Sequence, residues 1–166
     1  MVRGREATQH NRAVVLTISD RCSAGDAVDR SGPEIIESLP MLESRLIHRE
    51  IVPDEIGLIR AAAERWVNRC ELLVSTGGTG VAARDVTPEA LAPVITRGLP
   101  GFGEVMRLKA FEKQPMAVVS RGGAGLADRT LVIWLPGSPK AVRECIEWLA
   151  PAIRHVCQFL RGERPH

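Results

Sequence analysis

Leu72–Ile95 reads LLVSTGGTGVAARDVTPEALAPVI. An apolar β-type segment, Glu71 to Ser75, runs into Gly77-Gly78-Thr79-Gly80. The pair Arg84-Asp85 follows, then a helix start with Thr87 as cap and Pro88 at the first helical position. Glycines lack Cβ atoms, so they let the chain turn tightly and aim successive N–H groups at one point, which makes an anion nest. The same four residues also suit a plain strand-to-helix turn. Without Gly-Lys-Ser/Thr the loop is not a P-loop. Gly78, Gly80 and Ala83 match GxGxxA, but Pro88 delays the helix and PGFGEVMR stands where the next strand belongs, so a nicotinamide site does not fit.

Asp85 has two readings. Just before a helix start, a carboxylate complements the helix dipole, worth ~0.3–1 kcal/mol. Beside a phosphate nest it repels the phosphate unless a cation lies between them. Mg²⁺ answers that need with one or two protein carboxylates, waters and phosphate oxygens. Two further carboxylates end strands: Asp54 in IVPDE, and Asp20 beside Ser19. Asp54 also reads as a cap for the helix that begins at Glu55. Arg84 adds positive charge for an anionic ligand or is simply solvated. In PGSPK, Gly137 makes a turn, Ser138 caps, Pro139 opens a helix and Lys140 adds charge, and a helix N-terminus is also an anion site.

Outward from the loop, strands and helices alternate. Ala13–Ile18, Arg45–Val52, Glu71–Ser75, Met116–Val119 and Leu131–Leu135 read as strands. SDRCSAGDAVDRSGP is a long polar loop. Helices are expected at Glu34–Leu39, Glu55–Asn68, Pro88–Gly98, Pro100–Lys113 and Ser138–Leu160. The last has a stripe of Val142, Ile146, Leu149, Ile153, Val156 and Leu160 and a kink at Pro151. The order predicts an α/β domain over 13–162, its mostly parallel sheet covered on both faces, with residues 1–12 a solvated tail. Ligands of such sheets bind at strand C-termini, where the strand order reverses.

Composition narrows the function. The 166 residues suit one domain, and 45% are apolar, enough for a core. A net charge of +2 with 4% aromatics gives no basic stripe for nucleic acid. No apolar run approaches the ~20 residues of a membrane span, and the Arg-rich start lacks a signal-peptide core. Cys22, Cys70, Cys145 and Cys157 form no CxxC and have no histidine at ligand spacing, so zinc is not expected. Their use fits a reduced, cytoplasmic setting.

TISDRCSAGDAVDRSGP, IVPDE, STGGTGVAARDVTPEAL, PGFGEVMR, VVSRGGAG and LPGSPKAVRECIE follow one another in an order that resembles the molybdopterin adenylyltransferase family, which includes the G domain of gephyrin. The resemblance covers Val14 to Gly162. It implies a three-layer α/β/α sandwich of the molybdopterin-binding-domain type, assembled as a homotrimer. It also implies a reaction, molybdopterin plus Mg-ATP giving adenylylated molybdopterin and pyrophosphate. Asp54 and Asp85 match the family's catalytic aspartates, which act through the magnesium-nucleotide. Ser75, Thr76, Gly77, Gly78, Thr79 and Gly80 match the loop that cradles the pterin phosphate, with Arg84 beside it. Ser120 and Arg121 match a substrate-site pair, and Ser19, Asp20, Gly137, Ser138 and Lys140 match positions lining the cleft. The implied partners are molybdopterin, ATP and the molybdenum insertase that receives the product, with no nucleic acid and no membrane. A non-catalytic molybdopterin-binding or scaffold protein of the same fold is the alternative. Loss of either aspartate would mark it, and both are present. Another nucleotidyl transfer on this fold is a third reading.

Overall fold

The computed structural model describes residues 10–163. The elements are β1 (Asn11–Ile18), α1 (Asp20–Ala24), α2 (Ser31–Ser38), β2 (Ser44–Val52), α3 (Ile56–Trp66), β3 (Leu72–Thr76), α4 (Thr87–Leu91), β4 (Arg97–Gly98), α5 (Pro100–Phe111), β5 (Gly123–Ala127), β6 (Thr130–Leu135) and α6 (Pro139–Leu160). Six strands form one sheet in the order β2-β1-β3-β6-β5-β4. The pairs β1–β2, β1–β3 and β3–β6 are parallel, whereas β5 pairs antiparallel with both β6 and β4.

Side-chain alternation along the buried strands feeds two cores. Ala13, Val15, Leu72, Val74, Leu131 and Ile133 pack with Ile35 of α2, Met106 of α5 and the apolar face of α6. Val14, Leu16, Ile18, Leu73 and Val132 pack with Ile59, Ala62 and Ala63 of α3 and Ala90 and Leu91 of α4. Neighbours in sequence thus serve opposite faces of a three-layer α/β/α sandwich. That is why these strands read as continuous apolar runs. On α6, Val142, Ile146, Leu149 and Ile153 of the expected stripe are buried, along with Cys145, Ala150 and Cys157, while Val156 and Leu160 are partly buried. The helix runs on through Pro151. Among the described residues, no helix is long and apolar enough to cross a membrane.

Several expectations need correction. β1 begins at Asn11, which is 1% exposed, so residues 11 and 12 belong to the sheet; residues 1–9 of the expected tail lie outside the described residues. The polar loop after β1 contains the short helix α1, capped by Ser19. Met116–Val119 is not a strand. Pro115–Val119 form a 3-10 turn with Met116, Val118 and Val119 exposed, and the missing strand is β5, whose sequence is GAGLA. The helix expected over Pro88–Gly98 stops at Leu91, passes through a 3-10 turn at Ala92–Val94 and ends in the edge strand β4. Thr87 is not its cap: the N-cap residue is Val86, which makes no side-chain cap hydrogen bond.

β1 leads to β2 on one side, and β3 then returns to the other side of β1. The chain order therefore reverses between the C-termini of β1 and β3. Gly77 passes so close to the end of β1 that a Cβ on it would overlap the Ile18 carbonyl.

Candidate active site

β3 ends at Thr76 and the chain turns through Gly77 (φ 97°) and Gly78 (φ 65°), both in the left-handed region that favours glycine. The Gly77 N–H donates to Leu135 O at 3.1 Å. Thr87 holds the turn from the far side: its hydroxyl donates to Gly77 O at 2.9 Å and its N–H to Gly78 O at 3.0 Å. Thr87 is 0% exposed, so the residue read as a helix cap is a buried tie for the loop. The N–H groups of Gly78, Thr79 and Gly80 donate to no acceptor among the described residues. Three successive unused donors in a glycine turn are the chemistry of an anion nest.

The aspartates gather around this turn. A Cβ on Gly78 would lie 3.1 Å from Asp54 Oδ1, and one on Gly80 would lie 2.6 Å from Asp85 Oδ2. Asp54 Oδ2 accepts the Asp20 N–H at 2.8 Å, and Asp20 Oδ1 accepts the Asp54 N–H at 3.0 Å. Arg84 forks the Asp20 carboxylate, with Nε to Oδ2 at 2.9 Å and Nη2 to Oδ1 at 2.8 Å. Asp85 Oδ2 accepts the Ala82 N–H at 2.9 Å. The Arg84 hydrogen bonds, then the Asp54 N–H, hold the Asp20 carboxyl below its ordinary range. Asp54 goes the other way. Burial first, then the negative charges of Asp20 and Asp85, push its carboxyl up despite the Asp20 N–H and the more distant Arg84.

The other expected residues divide. Ser19 Oγ accepts the Cys22 N–H at 3.2 Å and Ser138 Oγ accepts the Ala141 N–H at 3.2 Å, so both serve as helix caps at the mouth of the site. Ser75 and Thr76 are 0% exposed. The Thr76 hydroxyl donates to Pro136 O at 2.7 Å, so these two build the floor beneath the loop and do not line it. Ser19, Gly77 and Gly137 line a cleft of about 350 Å³ together with Asp29 and Arg30. Ser120, Ser138 and Lys140 line a second cleft of about 340 Å³ walled by Met106, Cys145 and Trp148. Arg121 lies under the glycine loop, with Nε donating to Gly80 O at 2.8 Å. Asp29 escaped the sequence reading. It is buried, it accepts from the Thr17 hydroxyl at 2.8 Å and the Gly32 N–H at 2.9 Å, and it fixes the loop between α1 and α2. The one hint was its place two residues before a Ser-Gly-Pro helix opening.

The donors suit a hard cation. Asp54 Oδ1 and Asp85 Oδ1 accept no hydrogen bond among the described residues, and burial, with the negative charges of Asp20 and Asp85 added to it, raises the Asp54 carboxyl. No three His, Cys, Asp or Glu side chains converge on one point among the described residues. The arrangement fits an ion that takes one or two carboxylates and completes its shell with water and phosphate oxygens, as Mg²⁺ does.

Residues 14–155 match the family described as "Probable molybdopterin binding domain". A molybdopterin adenylyltransferase of Helicobacter pylori strain J99 is 44% identical over 152 residues, which cover 89% of this chain and 86% of that protein. Gephyrin of Dictyostelium discoideum is 43% identical over 160 residues, covering 90% of this chain and 22% of its own length. The crystal structure of the molybdopterin biosynthesis enzyme MoaB from Thermus thermophilus superposes with a TM-score of 0.86 at 39% identity, covering 92% of this chain and 98% of that one. With the glycine turn and its aspartates standing at the switch point of the same sheet, this chain belongs to the molybdopterin-binding-domain family of molybdenum cofactor biosynthesis.

Proposed function

We propose that the protein is a molybdopterin adenylyltransferase, which moves AMP from Mg-ATP to molybdopterin. One observation carries the reading. Three unused N–H donors, Gly78 to Gly80, sit within a Cβ's reach of two carboxylates, Asp54 and Asp85. A nest alone binds an anion, and carboxylates alone repel one. Together they describe a site for phosphates accompanied by a divalent cation.

The terminal phosphate oxygen of molybdopterin attacks the α-phosphorus of ATP. The bond from that phosphorus to the β-phosphate bridging oxygen breaks, and pyrophosphate leaves with the electron pair. The attacking phosphate is already anionic near neutral pH, so the protein supplies no nucleophile. Its task is positioning and charge neutralisation. The glycine turn orients the pterin phosphate. Asp54 and Asp85 would hold Mg²⁺, which when bound neutralises the phosphates and polarises the reacting phosphorus. Asp20 fixes Asp54 through the paired backbone hydrogen bonds, and Arg84 offers its guanidinium at the rim. Ser120, Ser138 and Lys140 line the neighbouring cleft, where the rest of the two substrates can lie. The product passes to the molybdenum insertase, and the working assembly is a trimer in the cytoplasm.

The test is pyrophosphate release by purified protein given molybdopterin, ATP and Mg²⁺. Release that needs all three supports the reading. Tight molybdopterin binding with no release would make the protein a binding or scaffold member of the family.

A further inference from the structure

Arg121 precedes β5 and is far in sequence from the glycine loop, yet it touches that loop three times and the helix after it, α4, once. Its N–H donates to Thr79 O at 2.8 Å, Nε to Gly80 O at 2.8 Å and Nη2 to Asp85 O at 2.5 Å, while Nη1 pairs with the Glu89 carboxylate. Its own carbonyl accepts the Trp134 Nε1–H of β6 at 3.0 Å. The segment from Thr79 to Val86 belongs to no strand or helix. Its geometry is set by what it is tied to, and the central tie is one planar guanidinium anchored to the sheet through Trp134. All three guanidinium nitrogens are engaged with protein acceptors, so three of the five N–H donors are spent on the protein and the orientation of the fork is fixed by it.

We infer that Arg121 and Glu89 form a positioning clamp that fixes the glycine nest and Asp85 relative to each other, and that Arg121 is not a substrate contact. Gly80 O and Asp85 O are the two points that set this separation, and Arg121 holds both. Glu89, in α4, takes the remaining corner of the fork and keeps it in plane. The clamp's catalytic meaning rests on the adenylyl-transfer reading, but its geometry does not. A lysine keeps the charge but has one nitrogen, so it cannot reach Gly80 O, Asp85 O and Glu89 together.

Hydrogen exchange followed by mass spectrometry on the ligand-free chain is the first measurement. In Arg121→Lys and in Glu89→Gln, the 79–89 peptide should exchange about tenfold faster, the effect of losing one hydrogen bond to a charged group, while the β3 peptide stays at its wild-type rate. The second measurement is binding of Mn²⁺ in the presence of ATP, read by electron paramagnetic resonance. Arg121→Lys and Arg121→Gln should lose affinity to the same degree, about tenfold, because the fork and not the charge is what they lack. Glu89→Gln should weaken it in the same direction, and adding it to Arg121→Lys should cost nothing more. An Arg121→Lys protein with wild-type exchange and wild-type Mn·ATP affinity, beside an impaired Arg121→Gln, would make the arginine a charge contact and overturn the clamp. So would a Glu89→Gln protein that moves neither readout. If the Arg121 variants fail to fold, Glu89→Gln alone decides. The exchange experiment contains no ligand, so it judges the clamp whether or not the wild type releases pyrophosphate.

Discussion

Asp20 and Asp54 hold each other through the backbone. The N–H of each donates to the carboxylate of the other, at 2.8 and 3.0 Å, and this ties the C-terminus of β1 to that of β2. Asp54 Oδ2 is occupied by the exchange, so Oδ1 is the oxygen left beside Gly78.

Asp54→Asn should therefore separate stability from function. The amide oxygen still accepts from Asp20. Burial, and the charges of Asp20 and Asp85, raise the Asp54 carboxyl above its unfolded value, so at pH 7 its ionised form opposes folding. The variant should melt no lower than wild type, while pyrophosphate release falls by roughly 100-fold or more, the scale of one lost electrostatic group. A lower melting temperature with intact turnover would reverse both roles.

Gly80→Ala tests the spacing. Gly80 is not in the left-handed region, so alanine strains no backbone there. Its Cβ would lie 2.6 Å from Asp85 Oδ2 and 3.3 Å from Cγ, so the carboxylate must move. Turnover should drop roughly 10- to 100-fold, as small misplacements of reacting groups do, with far-ultraviolet circular dichroism unchanged. Wild-type turnover would mean that the position of Asp85 is immaterial.

Assembly is a separate prediction. Light scattering at micromolar concentration should report three times the 18.1 kDa chain mass. Exposed Met116, Val118 and Val119 on the 3-10 turn give such an assembly apolar surface to cover. A mass that stays at one chain across concentrations would count against the trimer.

Asp29 should govern part of the acid response. Burial alone would push its carboxyl up. The Gly32 N–H, the Thr17 hydroxyl and the Arg49 guanidinium outweigh it, and the carboxyl lies below its ordinary range. The folded state then binds this proton more weakly than the unfolded chain. The stabilisation is present above the unfolded value of about 3.9 and is lost as pH falls through the folded value. At pH 7, Asp29→Asn should be less stable by about 1.5–3 kcal/mol, the worth of a hydrogen bond to a charged group. Melting curves of the two proteins should converge as pH drops below about 4, where the unfolded carboxyl takes up its proton. Parallel curves would remove Asp29 from the acid response.

The sequence made the buried parallel strands legible because both their faces are covered, which leaves a continuous apolar run. It misled at two segments where tertiary contact overrides local preference. Met116–Val119 has strand-like composition but no neighbouring strand to pair with. GAGLA has poor strand propensity, yet it pairs with β6 along its whole length. Its glycines are steric: a Cβ on Gly123 would press on the Trp134 ring at 2.8 Å, and one on Gly125 would lie 2.5 Å from Ile95 Cγ2. Asp85 stood out because a carboxylate beside a glycine turn is an electrostatic anomaly. The roles of Thr87 and Arg121 as ties for the loop did not, because most of what they bind there is backbone carbonyl, which leaves no mark in sequence.

Asp85 offers the sharpest test, because it could serve only its own turn. Oδ2 accepts the Ala82 N–H, the Asp85 N–H donates to Ala82 O at 2.9 Å, and α4 begins two residues later. If Asp85 merely closes this turn and faces the helix dipole, Asp85→Asn keeps an acceptor for Ala82. It should then cost under ~1 kcal/mol and leave turnover nearly intact. As a ligand of the magnesium-nucleotide, the neutral amide lacks charge where the α-phosphate needs it. Pyrophosphate release should fall by roughly 100-fold or more. Molybdopterin binding measured without nucleotide should survive, because the proposed site puts the pterin phosphate on the N–H groups of Gly78 to Gly80. It should tighten slightly with one negative charge gone. Turnover within threefold of wild type would return Asp85 to its turn. Loss of turnover together with loss of molybdopterin binding would put Asp85 at the pterin end, and the two ends of the cleft would have to be exchanged.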